Sequence, residues 1–123
     1  MSYAALAAAV FAGLTCLIHT ILGGRDAARP LLNSKDLQTV PKLTNYYCWH
    51  IVTIVLALMS AGYAHLSQTY ETGLSWGLLI MSVLFTALSL GLVLKFRVTP
   101  LALPQWTLFA VLSLIGIAVV SGY

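Results

Sequence analysis

Two histidines lie inside long apolar runs of the sequence, where ionisable side chains are uncommon. His19 lies near the end of the first run, and His50 lies near the start of the second. Ionisable residues at membrane depth often mark a site of binding or proton transfer. Because a single connection joins the two runs, we expect both imidazoles at a similar depth, close to that connection.

Helical spacing places small side chains on the same helix faces as the histidines. Steps of three and four residues back from His19 reach Thr15, Cys16, Ala12, Ala9, Ala8 and Ala5. The face of His50 carries Tyr46, Tyr47, Thr53, Ala57, Ser60, Ala61 and Ala64. Small residues let helices approach closely, so both histidines are predicted to point into a helix bundle. At the same depth, the third apolar run adds Thr86 and Ser89.

The predicted polar cluster of His19, His50, Thr86 and Ser89 is compatible with three kinds of site. In the first, the imidazoles only hydrogen-bond hydroxyl or backbone groups, such as Tyr47, and hold the helices together. In the second, His19 and His50 ligate a b-type haem from both sides, or bind zinc or copper with Cys16. In the third, a histidine donates or carries a proton at a small-molecule site. The cofactor stays open between haem b, a transition metal and none.

The composition indicates a membrane protein. Of 123 residues, 60% are hydrophobic and only 7% are charged, whereas soluble domains carry about 25% charged residues. Four apolar runs are long enough to cross a bilayer as helices. We therefore predict an all-α, multi-pass protein with one domain over residues 1–123, a four-transmembrane-helix bundle with spans at about 3–22, 45–65, 74–94 and 105–122.

All six basic residues fall in two of the connections between these runs: Arg25, Arg29, Lys35, Lys42, Lys95 and Arg97. Short loops rich in Lys and Arg stay in the cytoplasm. The pattern predicts a basic cytoplasmic loop at 24–43 and both termini outside, as in a bacterial inner membrane. The net charge of +3 therefore indicates contact with the lipid bilayer and no binding of nucleic acid.

The basic loop also has two interpretations. Its charges could serve only to fix the orientation of the chain. Alternatively, Arg25 and Arg29 could form an anion-binding lip over the bundle, because they lie among apolar residues at headgroup level.

The predicted spans contain no Asp, Glu, Lys or Arg. This absence disfavours proton-coupled transport through a membrane carboxylate and a carboxylate-bridged di-iron site. It also excludes a buried lysine for a retinal-type Schiff base. Classes that use imidazole, hydroxyl groups or apolar surface remain.

The leading prediction is a small inner-membrane protein that acts by binding, with a polar, histidine-lined pocket in the cytoplasmic leaflet. It would be an accessory subunit of a larger membrane complex or a homo-oligomer. The first alternative is a haem or metal protein built on His19 and His50. The second is an enzyme acting on a lipophilic substrate, with histidine as acid or base and Arg25 or Arg29 holding an anionic head. Whether the chain is an enzyme is left open.

Overall fold

The chain is all-helical in a computed structural model that describes residues 1–122. Helix α1 is followed without a break by a π-helix, which we call the π segment, and then by the short helix α2. Three longer helices follow after brief connections. The bounds are α1 Tyr3–Ile18, the π segment His19–Ala28, α2 Arg29–Asn33, α3 Thr39–Gln68, α4 Thr72–Phe96 and α5 Gln105–Val120.

Three helical stretches are long and apolar enough to cross a membrane: Tyr3–Asn33, Thr39–Gln68 and Thr72–Phe96. The fourth, α5, has 16 residues and therefore measures about 24 Å at 1.5 Å per residue. That is shorter than a hydrocarbon core of about 30 Å. The prediction of an all-helical protein with four main helices is confirmed, and three of them have the length of a membrane span.

The four main helices form a bundle in which α1 has a central place. It packs along α3 and also contacts α5, which packs in turn along α4. Helices α3 and α4 contact each other much less. They meet near the turn that joins them, where Leu74 and Leu78 lie against Gly62. Farther from that turn they leave room for a cavity, described below.

Small residues let α1 approach its neighbours, as their spacing predicts. The buried residues of α1 are Ala5, Ala8, Ala9, Ala12 and Thr15. At the start of the helix, Ser2 Oγ accepts a hydrogen bond from Ala5 N at 3.2 Å. The backbone N–H of Ser2 donates to the Ser67 carbonyl at 2.9 Å, which ties the start of α1 to the end of α3.

Helix α3 buries a different face from the one predicted. Its core residues are Leu56, Met59, Tyr63, Leu66 and Ser67, whereas Ala57, Ala61 and Ala64 are exposed. Every face of such a helix is apolar, so hydrophobic periodicity does not distinguish the face that packs against protein. Large side chains of α3 fill the space that the small residues of α1 leave.

The first connection is more helical than predicted. The chain was expected to leave the helix at Gly23, but it continues through the π segment and α2 as far as Asn33. Helix α3 then begins at Thr39, ahead of the predicted start at 45. Only residues 34–38 of the predicted loop 24–43 lie outside helices, and Lys42 Nζ donates to the Ser34 carbonyl across them.

The helices alternate in direction, so all six basic residues lie at one end of the bundle, which we call the basic end. This end contains α2, the start of α3, the end of α4 and the start of α5. Helix α4 stops at Arg97, which has a left-handed conformation with φ of 51°. At the opposite end, His65 Nε2 lies 2.9 Å from Glu71 Oε1 beside the turn between α3 and α4.

Candidate functional site

The two predicted histidines contact the same indole ring at the basic end. The His19 ring stacks on Trp49 with centroids 4.6 Å apart and an interplanar angle of 24°. The His50 ring lies edge-on to Trp49 at 5.0 Å and 80°. Tyr46 completes the cluster, since its ring is 4.5 Å from that of His50. The histidines therefore come close, with Trp49 as their common neighbour, an indole that the sequence reasoning did not include.

His19 forms a hydrogen bond between helices. Its Nε2 atom lies 3.1 Å from the backbone carbonyl oxygen of Trp49. A carbonyl oxygen only accepts hydrogen bonds, so Nε2 carries the proton and donates it. In the neutral ring Nδ1 then holds a lone pair. A methyl group at Gly23 would lie 3.8 Å from that Nδ1, which is an ordinary contact distance.

The His19 bond is part of a hydrogen-bonded seam between α1 and α3. Closer to the middle of the bundle, Cys16 Sγ donates to the Thr53 carbonyl at 3.6 Å. Farther along, Ser60 Oγ donates to the Ala9 carbonyl at 2.8 Å. In each case a side chain of one helix donates a hydrogen bond to a backbone carbonyl oxygen of the other. The interpretation of His19 as a residue that holds helices together is supported, with a backbone carbonyl as its partner.

The π segment begins at His19 and receives the Trp49 side chain. π-Helices are rare and occur frequently at functional sites. A methyl group at Gly23 would lie 3.6 Å from Trp49 Nε1, and one at Gly24 would lie 3.9 Å from Trp49 Cη2. The glycine pair therefore lies next to the indole, with ordinary contact distances to a methyl group at either position. The chain stays helical through Gly23 and Gly24, although the predicted first span ended at about residue 22.

His50 is exposed, so the prediction that both histidines point into the bundle is wrong for His50. Within residues 1–122 the His50 ring contacts the aromatic rings of Tyr46 and Trp49. Tyr47 is 66% exposed and lines neither of the two cavities described below. Thr86 donates to the Ser82 carbonyl of its own helix at 2.9 Å. The four-residue polar cluster that spacing predicted is therefore not assembled.

The geometry gives no support to the haem and metal alternatives. His19 uses Nε2 for Trp49, and His50 faces outward. The Cys16 thiol, the third predicted metal ligand, is directed at the Thr53 carbonyl. Among residues 1–122 there is no group of three His, Cys, Asp or Glu side chains that could hold a metal ion.

Two adjoining cavities lie at the basic end. The first, which we call the His19 cavity, has a volume of about 500 Å³ and lies between the π segment, α3 and α5. The second, the Ser89 cavity, has about 260 Å³ and lies between α3, α4 and the start of α5. The two cavities share four lining residues: Val52, Leu103, Gln105 and Phe109. The two cavities are therefore direct neighbours.

Few polar groups face this region, and some of them already have partners. Thr15 Oγ1 donates to the Phe11 carbonyl, and Asp26 accepts from Arg25. Ser89 is only 9% exposed. Within residues 1–122, neither Ser89 nor Gln105 has a side-chain hydrogen bond. Nδ1 of His19, the Ser89 hydroxyl and the Gln105 amide are thus the groups left for a ligand.

Arg25 and Arg29 line a third cavity on another face of the π segment, which we call the arginine niche. It has a volume of about 360 Å³ and is shared with Tyr46 and Trp49 of α3. None of the residues that the π segment contributes to the niche lines the His19 cavity. The niche is therefore a separate site.

Sequence reasoning placed His19, Ser89 and the two arginines at the basic end but missed the residues that shape the cavities. Val52 and Leu103 lack an individual signal, because an apolar residue in an apolar run does not show which way its side chain points. Pro104 next to Gln105 marks a helix start. A helix that starts at Gln105 has this residue at the basic end of the bundle, where Gln105 and His19 line the same cavity.

Comparison with known proteins finds no family model, no curated protein and no solved structure that matches the chain. The fold defines a class: an all-helical bundle whose apolar helices are compatible with several membrane crossings.

Proposed function

We propose that this is a small multi-pass membrane protein that binds a lipophilic molecule in the neighbouring His19 and Ser89 cavities. The observation that carries the proposal is that the two neighbouring cavities share four lining residues and have mostly apolar walls with few polar groups. Ligand sites in proteins commonly have volumes of about 300–1,000 Å³, with mostly apolar walls and a few polar groups that orient the ligand.

The polar groups define the chemical class of the ligand. A long apolar molecule would fill the region along Val52 and Phe109. A single hydroxyl group at one end could donate to Nδ1 of His19. The Ser89 hydroxyl and the Gln105 amide could donate to a carbonyl or ether oxygen. A fatty alcohol or a lipophilic carbonyl compound therefore fits better than an ion or a sugar.

The basic end is proposed to face the cytoplasm, with both termini outside and the cavities in the cytoplasmic leaflet. Its support is the clustering of all six basic residues at that end together with the positive-inside rule. A bacterial inner membrane is the proposed location. Assembly as an accessory subunit or as a homo-oligomer stays a prediction that contacts within one chain do not test.

Photocrosslinking in lipid nanodiscs tests the binding proposal. The probe is a long-chain fatty alcohol that carries a diazirine in its chain, and the crosslinked residues are mapped by mass spectrometry. We expect crosslinks to concentrate on residues that line both cavities, chiefly Val52, Leu103 and Phe109. An excess of unlabelled alcohol should suppress these crosslinks.

A blocking variant provides the control. Val52→Trp places an indole in the shared wall and should abolish the concentrated crosslinks. Leu114→Trp makes the same kind of change on a residue of α5 that is 68% exposed, and it should leave them intact. Crosslinks spread evenly over the exposed apolar residues, unchanged by Val52→Trp, would refute binding in the cavities.

A further inference from the structure

The arginine niche combines charge and aromatic surface at the basic end. Its walls include two guanidinium groups, those of Arg25 and Arg29, and two aromatic side chains, those of Tyr46 and Trp49. The two aromatic rings are parallel, with an interplanar angle of 2° and centroids 6.2 Å apart. Trp and Tyr side chains prefer the interface between headgroups and hydrocarbon, so we expect the niche to lie at the depth of this interface.

The two arginines differ in their electrostatic state. Arg25 donates two hydrogen bonds to the carboxylate of Asp26, at 2.6 and 2.9 Å, and both side chains are exposed. Arg29 has neither an ion-pair nor a hydrogen-bond partner among residues 1–122. Its guanidinium is therefore the uncompensated charge of the niche, and Arg25 is a second donor that an anion could share.

We infer that the arginine niche binds the phosphate group of an anionic phospholipid. A planar guanidinium matches the geometry of phosphate oxygens and can donate two hydrogen bonds at once. The same niche has apolar walls at Ile21, Ala28 and Leu32, which suit the glycerol backbone and the first acyl carbons. The lipid would lie between the π segment and the side chains of Tyr46 and Trp49.

Inorganic phosphate shares this chemistry but leaves the apolar walls uncovered, so we assign the site to the lipid. The inference is independent of the ligand in the His19 cavity. The niche and that cavity have no lining residue in common, so either site could be occupied alone.

Native mass spectrometry of the detergent-purified protein tests the inference with two probes, phosphatidylglycerol and phosphatidylcholine. The protein should retain phosphatidylglycerol more strongly. Arg29→Gln should weaken its binding by about tenfold, because a hydrogen bond to a charged group is lost from the niche. Arg29→Lys keeps the charge without the planar fork and should give an intermediate result.

The matched control is Lys35→Gln, which removes the same charge from the same connection at an exposed residue outside the niche. It should bind phosphatidylglycerol like the unchanged protein. An equal loss in Lys35→Gln and Arg29→Gln would mean unspecific attraction and would overturn the inference. Equal retention of the two lipids would do the same. Displacement of phosphatidylglycerol by millimolar inorganic phosphate would assign the niche to the free anion instead.

Discussion

His19 uses one ring nitrogen for a hydrogen bond inside the protein, and the same residue lines a cavity. Nε2 donates to the Trp49 carbonyl, and the stacked indole fixes the plane of the imidazole. A histidine held in this way presents Nδ1 in a defined direction. The same residue can therefore stabilise the α1–α3 pair and orient a ligand.

Replacement of His19 tests its structural role. His19→Leu removes the hydrogen bond to Trp49 and should lower the free energy of unfolding by about 1 kcal/mol. His19→Gln retains an N–H near the position of Nε2 and should lose less. The measurement is unfolding in mixed micelles by a denaturing detergent, followed by circular dichroism.

His50→Leu is the control for this pair, because His50 contacts the same indole but has no hydrogen bond among the described residues. Its effect should be smaller than that of His19→Leu. Equal losses at the two histidines would show that ring contacts, and not the Nε2 bond, give His19 its stabilising effect.

Gly116 marks the closest approach of α5 to the Tyr63 side chain. A methyl group there would lie 3.0 Å from Tyr63 Oη and 3.2 Å from Leu79 Cδ1, so the buried phenol must move. Gly116→Ala should cost about 1–3 kcal/mol of stability, as is typical of overpacking. Thermal unfolding in detergent measures the change.

Gly77→Ala serves as the comparison, because a methyl group at Gly77 meets nothing within 4 Å. This change should be neutral or stabilising, since alanine has the higher helix propensity. Adding Tyr63→Phe to Gly116→Ala should recover part of the loss, because the two positions are in contact. No recovery would place the strain at Leu79 instead of Tyr63.

At the scale of helices, the α1–α3 pair is the best-defined unit of the bundle. The small residues of α1 allow close packing, and donors from both helices then reach backbone carbonyls across the seam. Backbone carbonyls remain strong acceptors in an apolar setting, so such bonds fix the register of the two helices as well as their distance.

Enlarging a buried small residue of α1 should push this helix away from the helices packed against it. Ala8 is fully buried, and Ala8→Leu is expected to cost about 1–3 kcal/mol. Ala7→Leu adds the same atoms to the exposed neighbouring residue and should change stability little. The measurement is the free energy of unfolding of the two variants in the same micelles. Similar losses of stability in both would contradict the assignment of the buried face of α1.

The existence of the helices could be predicted because apolar length is a property of the local sequence. Their ends depend on other parts of the chain. The pair Gly23 and Gly24 resembles a helix end, but Trp49 from α3 packs on it and the helix continues. The early start of α3 at Thr39 likewise gives Lys42 its contact with Ser34, a partner that only the folded chain supplies.

The candidate site was predictable in part for a related reason. The depth of His19 and Ser89 follows from their positions along the helices, and both reach cavities at the basic end. The direction of His50 could not be obtained in the same way. Small residues near it suggested a packed face, but α3 packs through Leu56 and Met59, which occupy another side of the helix.

For the molecule as a whole, the charge distribution predicts the orientation. A reporter placed after α5 should be active only in the periplasm, and one inserted in residues 34–38 only in the cytoplasm. Replacing the four basic residues of the first connection by Gln should weaken this preference and give a mixed population. A cytoplasmic reporter after α5 would reverse the proposed leaflet of the cavities.

The central claim is that a lipophilic molecule occupies the two neighbouring cavities at the basic end. Electron paramagnetic resonance of a nitroxide-labelled fatty alcohol, titrated into nanodiscs that contain the protein, tests it most directly. A saturable, immobilised component should appear, persist in Leu114→Trp and disappear in Val52→Trp. If the immobilised fraction is the same in all three proteins, or grows without saturation, the alcohol lies at the outer surface and the cavities are not its site.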